Sequence, residues 1–180
     1  MVQTIRVKDH DDIITITYED LLKYHGKQML GGVALAFQIM SMTFPMLCDD
    51  VPQRGHFRFY SGIGQNGQGI IDAVEMVMRV KTHQKLELDT AYAEDKCGQV
   101  APNGGRYYFE IGYKQKNIKL YLKEGIIPQE FITYSKLAQQ CKEKQIAMQK
   151  EDQQTLLALR KELAKSIIEA KSEELFVIMA

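Results

Sequence analysis

Residues 29–47 read MLGGVALAFQIMSMTFPML and carry no charged side chain. The length and composition of this stretch predict one central helix from Met29 to Phe44, around which the other elements pack. Pro45 is expected to end this helix, because proline lacks the amide hydrogen that a continuing helix needs. Small residues early in the stretch would let a neighbouring element approach closely: Gly31, Gly32, Ala34 and Ala36.

The same stretch just reaches the length of a membrane span, so a transmembrane helix has to be weighed. The polar Gln38, the paired glycines and the absence of a flanking aromatic belt argue against it. We therefore expect a buried core helix and no contact with a membrane.

The regions on either side of the central helix alternate between strand and helix patterns. β-branched residues predict short strands at 3–7 and 13–17. Thr17 is a good start for a short helix, which Gly26 should end. These elements lie directly before the central helix.

Downstream, residues 56–61 alternate between apolar and polar and predict a strand, followed by a helix over about 69–82. Residues 86–92 alternate again, and 106–113 with 118–123 predict an antiparallel hairpin. Few of these strands are apolar on both faces, as a fully parallel sheet would require. The pattern predicts an α+β fold with a mostly antiparallel sheet packed against helices.

The C-terminal part predicts a helical extension that begins at Pro128 and reaches about Glu174. We therefore divide the chain into an α+β core domain, 1–127, and a helical extension, 128–180. An apolar stripe in the extension predicts a homodimer assembled through these helices, and the alternative is that the segment folds back on its own core. The stripe consists of Leu156, Leu159, Leu163 and Ile167, and the expected polar side consists of Glu151, Asp152, Arg160, Lys161 and Lys165.

Charge and cysteine content exclude some classes of protein. The 180 residues include 23 basic and 23 acidic side chains, which are interspersed, so no basic surface for nucleic acid is expected. Cys48, Cys97 and Cys141 are scattered and odd in number, which favours a reducing compartment. Because the N-terminal residues lack the apolar segment of a signal peptide, we expect a cytoplasmic protein.

A glycine-rich turn at Gly62, Gly64 and Gly67 matches the pattern G-x-G-x-x-G between a predicted strand and a predicted helix. Asp89 follows at a distance typical of the acid that binds ribose in dinucleotide-binding folds. One alternative is thus a Rossmann-like nucleotide binder acting through Gly62–Gly67. The simpler interpretation is a turn that binds an anion at the start of the following helix.

His25 stands just before the apolar stretch, and the sequence HGKQMLG at 25–31 resembles the H-G-H-x-C-P-G motif of the FmdE family of formylmethanofuran dehydrogenase proteins. In that family a small-residue helix follows directly, and its D-A-I-Q segment is similar to residues 72–75. The resemblance covers roughly 18–125. It implies an accessory protein of one-carbon or redox metabolism that binds a metal or a small ligand.

The chain departs from the family pattern at the thiolate positions. Lys27 stands for the second histidine of the motif, Met29 for its cysteine and Leu30 for its proline. Positions Gly69 and 78–80 likewise lack the later family cysteines. A thiolate metal site of the family type is therefore not expected.

The remaining donors define the candidate site. A divalent metal such as zinc would use His25 and His83, and a small polar ligand would use Lys27, Gly64, Asn66 and Asp72. One alternative is an enzyme in which His25 acts as general base. Another is a structural dimeric module that binds no ligand.

Overall fold

Six α-helices and two β-sheets are formed by residues 3–180, the part of the chain that the structure, a computed structural model, describes. The strands are β1 (Thr4–Asp9), β2 (Asp12–Thr17), β3 (Phe57–Ser61), β4 (Leu86–Glu87), β5 (Tyr108–Tyr113), β6 (Lys116–Leu122) and β7 (Phe176–Ile178). The helices are α1 (Tyr18–His25), α2 (Leu30–Leu47), α3 (Gln68–Met78), α4 (Gln129–Glu143), α5 (Lys150–Glu169) and α6 (Ser172–Leu175).

The larger sheet has the strand order β4-β3-β5-β6-β7, and β1 and β2 form a separate antiparallel hairpin. Within the larger sheet β3 and β4 are parallel, whereas the other three pairs are antiparallel. The predicted α+β class with a mostly antiparallel sheet is therefore confirmed. One face of this sheet packs on α2, and Phe44 of α2 stacks on Phe57 with ring centroids 4.5 Å apart.

The short helix α1 begins and ends where its sequence predicts. The Thr17 side chain accepts a hydrogen bond from the Asp20 amide at 3.1 Å, and the Asp20 carboxylate accepts one from the Thr17 amide at 2.9 Å. This reciprocal capping box fixes the first turn. Gly26 ends the helix with φ of +95°, a value that favours glycine.

The central helix α2 runs past Pro45 to Leu47, so the predicted end at Phe44 is wrong. Pro45 lies close to the C-terminal end, where its missing amide hydrogen removes only the bond to the carbonyl of Ser41. The Cys48 amide still donates to the Phe44 carbonyl at 3.0 Å, which closes the last turn.

By length and composition alone α2 could cross a membrane, and it is the one helix within residues 3–180 that meets this criterion. In the structure 67% of its residues are buried inside the protein itself. Burial by the surrounding elements is typical of the core helix of a soluble protein.

Two glycines bring α2 close to its neighbours, as predicted. A Cβ atom on Gly32 would lie 3.1 Å from the Ile70 amide nitrogen and 3.3 Å from Cα of Gly69, so α2 and α3 meet backbone to backbone. A Cβ atom on Gly31 would lie 3.0 Å from Leu163 of α5. The small residues at the start of α2 therefore set the spacing of three helices.

The C-terminal segment folds back on the core. Helix α5 packs along α2, and β7 pairs with β6 at the edge of the sheet. Leu156, Leu163 and Ile167 of the apolar stripe are buried within the chain, and Leu159 is half-buried. The stripe is thus not the free surface that the homodimer prediction required, and residues 128–180 share one hydrophobic core with the preceding part of the chain. The oligomeric state itself stays a prediction.

Some element bounds differ from the sequence-based expectation. Helix α3 ends at Met78 rather than near residue 82, because Arg79 adopts a left-handed conformation with φ of +58°. The strand expected over 86–92 is limited to β4, since the chain turns at Thr90. Strand β7 was not predicted, because its three residues gain their partner only from a distant part of the chain.

The polar residue in the middle of α2, Gln38, ties α2 to the end of α5. Its side-chain nitrogen donates to the carbonyls of Ile167 at 2.9 Å and Ala170 at 3.0 Å. Its side-chain oxygen accepts from the Ser172 hydroxyl at 2.8 Å. Because Gln38 is only 2% exposed, no water replaces these bonds.

We expect Gln38→Leu to lower the free energy of unfolding by about 2 kcal/mol, because the carbonyls at the end of α5 lose their donor while remaining buried. Urea unfolding followed by circular dichroism measures the change. Gln154→Leu on the exposed side of α5 is the matched control and is expected to be neutral within about 0.5 kcal/mol. Equal unfolding midpoints for the two variants would contradict this role of Gln38.

Candidate functional site

A cavity of about 820 Å³ lies between the N-terminal ends of α2 and α3 on one side and the hairpin of α4 and α5 on the other. Ile63 and residues 65–70 of the glycine-rich segment and the loop residues Pro102 and Asn103 form much of its remaining wall. Gly31 and Gly32 of α2 contact α5 and α3, respectively, and these contacts set the distance of each of the two helices from α2. The cavity is therefore bounded by elements that belong to the hydrophobic core.

The lining of the cavity combines apolar and polar side chains. The apolar side chains are Leu35, Ile63, Ile70, Ile127, Phe131 and Leu163. Polar side chains come from loop residues such as Asn66 and Asn103 and from the C-terminal helices, which contribute the charged residues Lys142, Glu143 and Arg160. A mostly apolar pocket with a few polar groups is typical of sites for small organic molecules.

His25 lies beside this cavity rather than in its wall, and it contacts Asp72 of α3. Its Nδ1 is 2.7 Å from Asp72 Oδ2, and its side chain is 5% exposed. Gln68 Nε2 donates to the other oxygen of Asp72 at 2.6 Å. The structure thus brings together two of the residues that the sequence singled out, His25 and Asp72.

Both ring nitrogens of His25 are engaged. Nε2 hydrogen-bonds the carbonyl oxygen of Gln28, and Nδ1 faces the Asp72 carboxylate. Both ring nitrogens thus contact other groups, and in this conformation His25 links α1, the start of α2 and α3.

His83 lies away from His25. It follows the C-terminal end of α3, whereas Asp72 belongs to the N-terminal half of that helix. The His83 ring approaches the Gly55 backbone, where a Cβ on Gly55 would be 3.3 Å from its Nε2. The two histidines predicted to hold one metal are therefore not brought to a common site.

Within residues 3–180 no group of three or more His, Cys, Asp or Glu side chains is arranged to hold a metal ion. Zinc sites in proteins use three or four such ligands. Cys97 is exposed and Cys48 is half-buried, and neither lies in such a group.

The residues predicted to bind a small polar ligand are only partly assembled. Asn66 lines the cavity, whereas Lys27 is exposed and Gly64 is buried within the loop, and neither of these two lines the cavity. Gly64 has φ of +73°, and a Cβ there would lie 2.8 Å from Thr90 Cγ2, so its role is to let the loop turn. Asp72 is in contact with His25 instead of lining the cavity.

The glycine motif does connect β3 to α3 and then to the parallel strand β4. The sheet continues with antiparallel strands, so a Rossmann-type fold is not formed. Gly62 is required by packing, because a Cβ there would lie 2.7 Å from Cβ of Ala93. The Asp89 carboxylate accepts hydrogen bonds from the amides of Ala91 and Tyr92 at 3.0 and 3.3 Å, and so caps a local turn.

Among the cavity residues that sequence reasoning missed are Arg160 and Tyr107. The expected position of Arg160 on the polar side of α5 is wrong, since it lines the cavity beside Leu163. The spacing contained the signal, because Arg160 follows Leu156 by four positions and precedes Leu163 by three, and these positions share one helix face. Nothing in the sequence singles out Tyr107 among the tyrosines around it.

Comparisons of the chain with protein-family models, with curated proteins and with solved structures found no significant match. The resemblance to the FmdE family accordingly stays a prediction based on its short motifs.

Proposed function

We propose that this protein binds a small organic molecule in the cavity between α2, α3 and the α4–α5 hairpin. The observation that carries the proposal is the cavity itself, whose volume of about 820 Å³ lies within the range of roughly 300–1,000 Å³ typical of ligand pockets. Its α2–α3 wall is held by backbone contacts, and α5 packs along α2, so we infer that the site is formed before a ligand arrives.

The ligand-binding part of the sequence-based prediction is supported in this way, whereas the metal-binding part is not. Asn66 belongs to both the predicted ligand residues and the cavity. The accessory role that the FmdE resemblance implies requires only that the protein binds its ligand. No catalytic residue is needed for such a role. The three cysteines form no disulfide within residues 3–180, and we propose a cytoplasmic location on this ground.

Filling the cavity tests the proposal. Ala138 on α4 lines the cavity and is half-buried, so Ala138→Trp is expected to place an indole in the ligand's space. The matched control is Gln140→Trp on the exposed side of the same helix.

A panel of small organic acids, alcohols and nucleosides is screened by thermal denaturation with the wild-type protein. We expect a subset of the panel to raise the melting temperature of the wild type and the Gln140→Trp control, and not that of Ala138→Trp. If no compound of the panel raises the melting temperature of the wild type, or if Ala138→Trp responds like the control, the proposal is overturned.

A further inference from the structure

The guanidinium group of Arg160 is half-buried in the wall of the cavity and has no anionic partner within residues 3–180. None of the ion pairs or side-chain hydrogen bonds in this part of the chain involves it. Burial lowers the pKa of this guanidinium, and no neighbouring charge acts on it. Because arginine keeps its charge in proteins, a partly desolvated guanidinium without a carboxylate is costly unless another anion meets it.

Tyr107 is a second group in the cavity that lacks a partner. It is only 7% exposed and lines the cavity, and no hydrogen bond in the described part of the chain involves its hydroxyl. The fully enclosed side-chain oxygens without a partner are those of Ser41 and Ser61, so the Tyr107 hydroxyl retains access to the open space of the cavity. Burial raises the pKa of Tyr107, which keeps the phenol protonated and able to donate.

The N-terminal end of α3 opens into the same space. Its first turn includes Gln68, Gly69 and Ile70, which line the cavity, and no side chain caps it. The amides at a helix start favour negative charge. Lys142 adds a second cation to the lining, against the single carboxylate of Glu143. The polar part of the cavity thus offers more positive groups and donors than negative ones.

We infer that the ligand of this cavity is an organic anion with an apolar body, whose carboxylate or phosphate group pairs with Arg160 and whose oxygen atoms accept a hydrogen bond from Tyr107. The apolar body packs against the aliphatic wall formed by side chains such as Leu35 and Ile70. This inference rests on the proposed function and adds the chemical class of the ligand.

Three probes with the same eight-carbon body separate the two proposals. Octanoate and octyl phosphate carry the anion, and octan-1-ol carries the body alone. Isothermal titration calorimetry with the intact protein measures each affinity. We expect at least one of the two anions to bind at least tenfold more tightly than octan-1-ol, and the anion that binds more tightly shows which head group the site prefers.

Two single changes test the residues. Arg160→Gln is expected to weaken binding of the preferred anion at least tenfold and to leave octan-1-ol unchanged, whereas the neighbouring Lys161→Gln, on the exposed side of α5, should change neither. Tyr107→Phe removes only the hydroxyl and is expected to lower the affinity for the preferred anion about fivefold. Circular dichroism confirms that each variant is folded.

The outcomes distinguish failure of the ligand class from failure of the cavity. Octan-1-ol could bind the wild type and not Ala138→Trp, while neither anion binds more tightly than octan-1-ol. This result would support ligand binding in the cavity and overturn the inference that the ligand is an anion. Equal anion affinities of Arg160→Gln and Lys161→Gln overturn it as well, and an unchanged affinity of Tyr107→Phe overturns the second contact. If none of the three probes binds the wild type, the inference fails, and the wider panel of organic molecules decides whether the cavity binds a ligand at all.

Discussion

Gly69→Ala is expected to lower the free energy of unfolding by about 3 kcal/mol, one of the two largest effects that we expect from a single substitution. A Cβ atom at this position would lie 2.5 Å from the carbonyl oxygen of Met29 and 3.1 Å from the amide nitrogen of Val33. Both atoms belong to the backbone at the start of α2, so no side chain can move aside. The two helices would have to separate, and the wall of the cavity would move with them.

Gly67→Ala is the matched control for this experiment. Gly67 lies two residues earlier, directly before α3, with a negative φ, and a Cβ there would make ordinary contacts at 3.4 Å or more. We expect a loss below about 1 kcal/mol, which reflects the weaker capping by alanine at the helix start. Urea unfolding at equilibrium compares the two variants, and similar losses in both would rule out the proposed backbone contact.

Ile167→Glu is expected to cost at least about 3 kcal/mol and to leave little folded protein at 37 °C, because it places a carboxylate where no partner or water is available. Ile167 is 0% exposed and lies in the core between α5 and α2. The measurement is thermal and urea unfolding at two protein concentrations.

The control is Leu157→Glu on the same helix, where the wild-type side chain is 41% exposed. A change at this position is expected to stay within about 0.5 kcal/mol. The pair of variants also tests the homodimer prediction. If the apolar stripe joined two copies, Ile167→Glu would give a stable, folded monomer in analytical sedimentation, whereas an internal stripe gives a destabilised chain at every concentration.

Much of the fold was predictable because its signals are local. The capping box at Thr17 and Asp20, the turn at Gly26 and the β5–β6 hairpin depend on residues close together in sequence. The role of the small residues at Gly31 and Gly32 was predictable for the same reason, since they stand at the start of the apolar helix.

The partners of these elements could not be predicted in the same way. The apolar stripe of α5 has the same pattern whether it covers α2 of its own chain or a second copy. The three residues of β7 are too few for a strand signal without the neighbouring β6. At the site, His25 and Asp72 were both singled out from the sequence, but their direct contact across 47 positions depends on the packing of α1 on α3.

The long separation between Gln38 and its partners has a kinetic consequence. Its donor reaches a carbonyl 129 positions further along the chain, near the end of α5, the helix that packs along α2. Contacts this remote make folding slow, because the loop entropy has to be lost before the contact forms. Until α5 packs on α2, the apolar surface of α2 is exposed to other incompletely folded chains, which makes early intermediates prone to aggregate. Refolding yield should therefore fall steeply with protein concentration, even though the finished molecule covers α2 well.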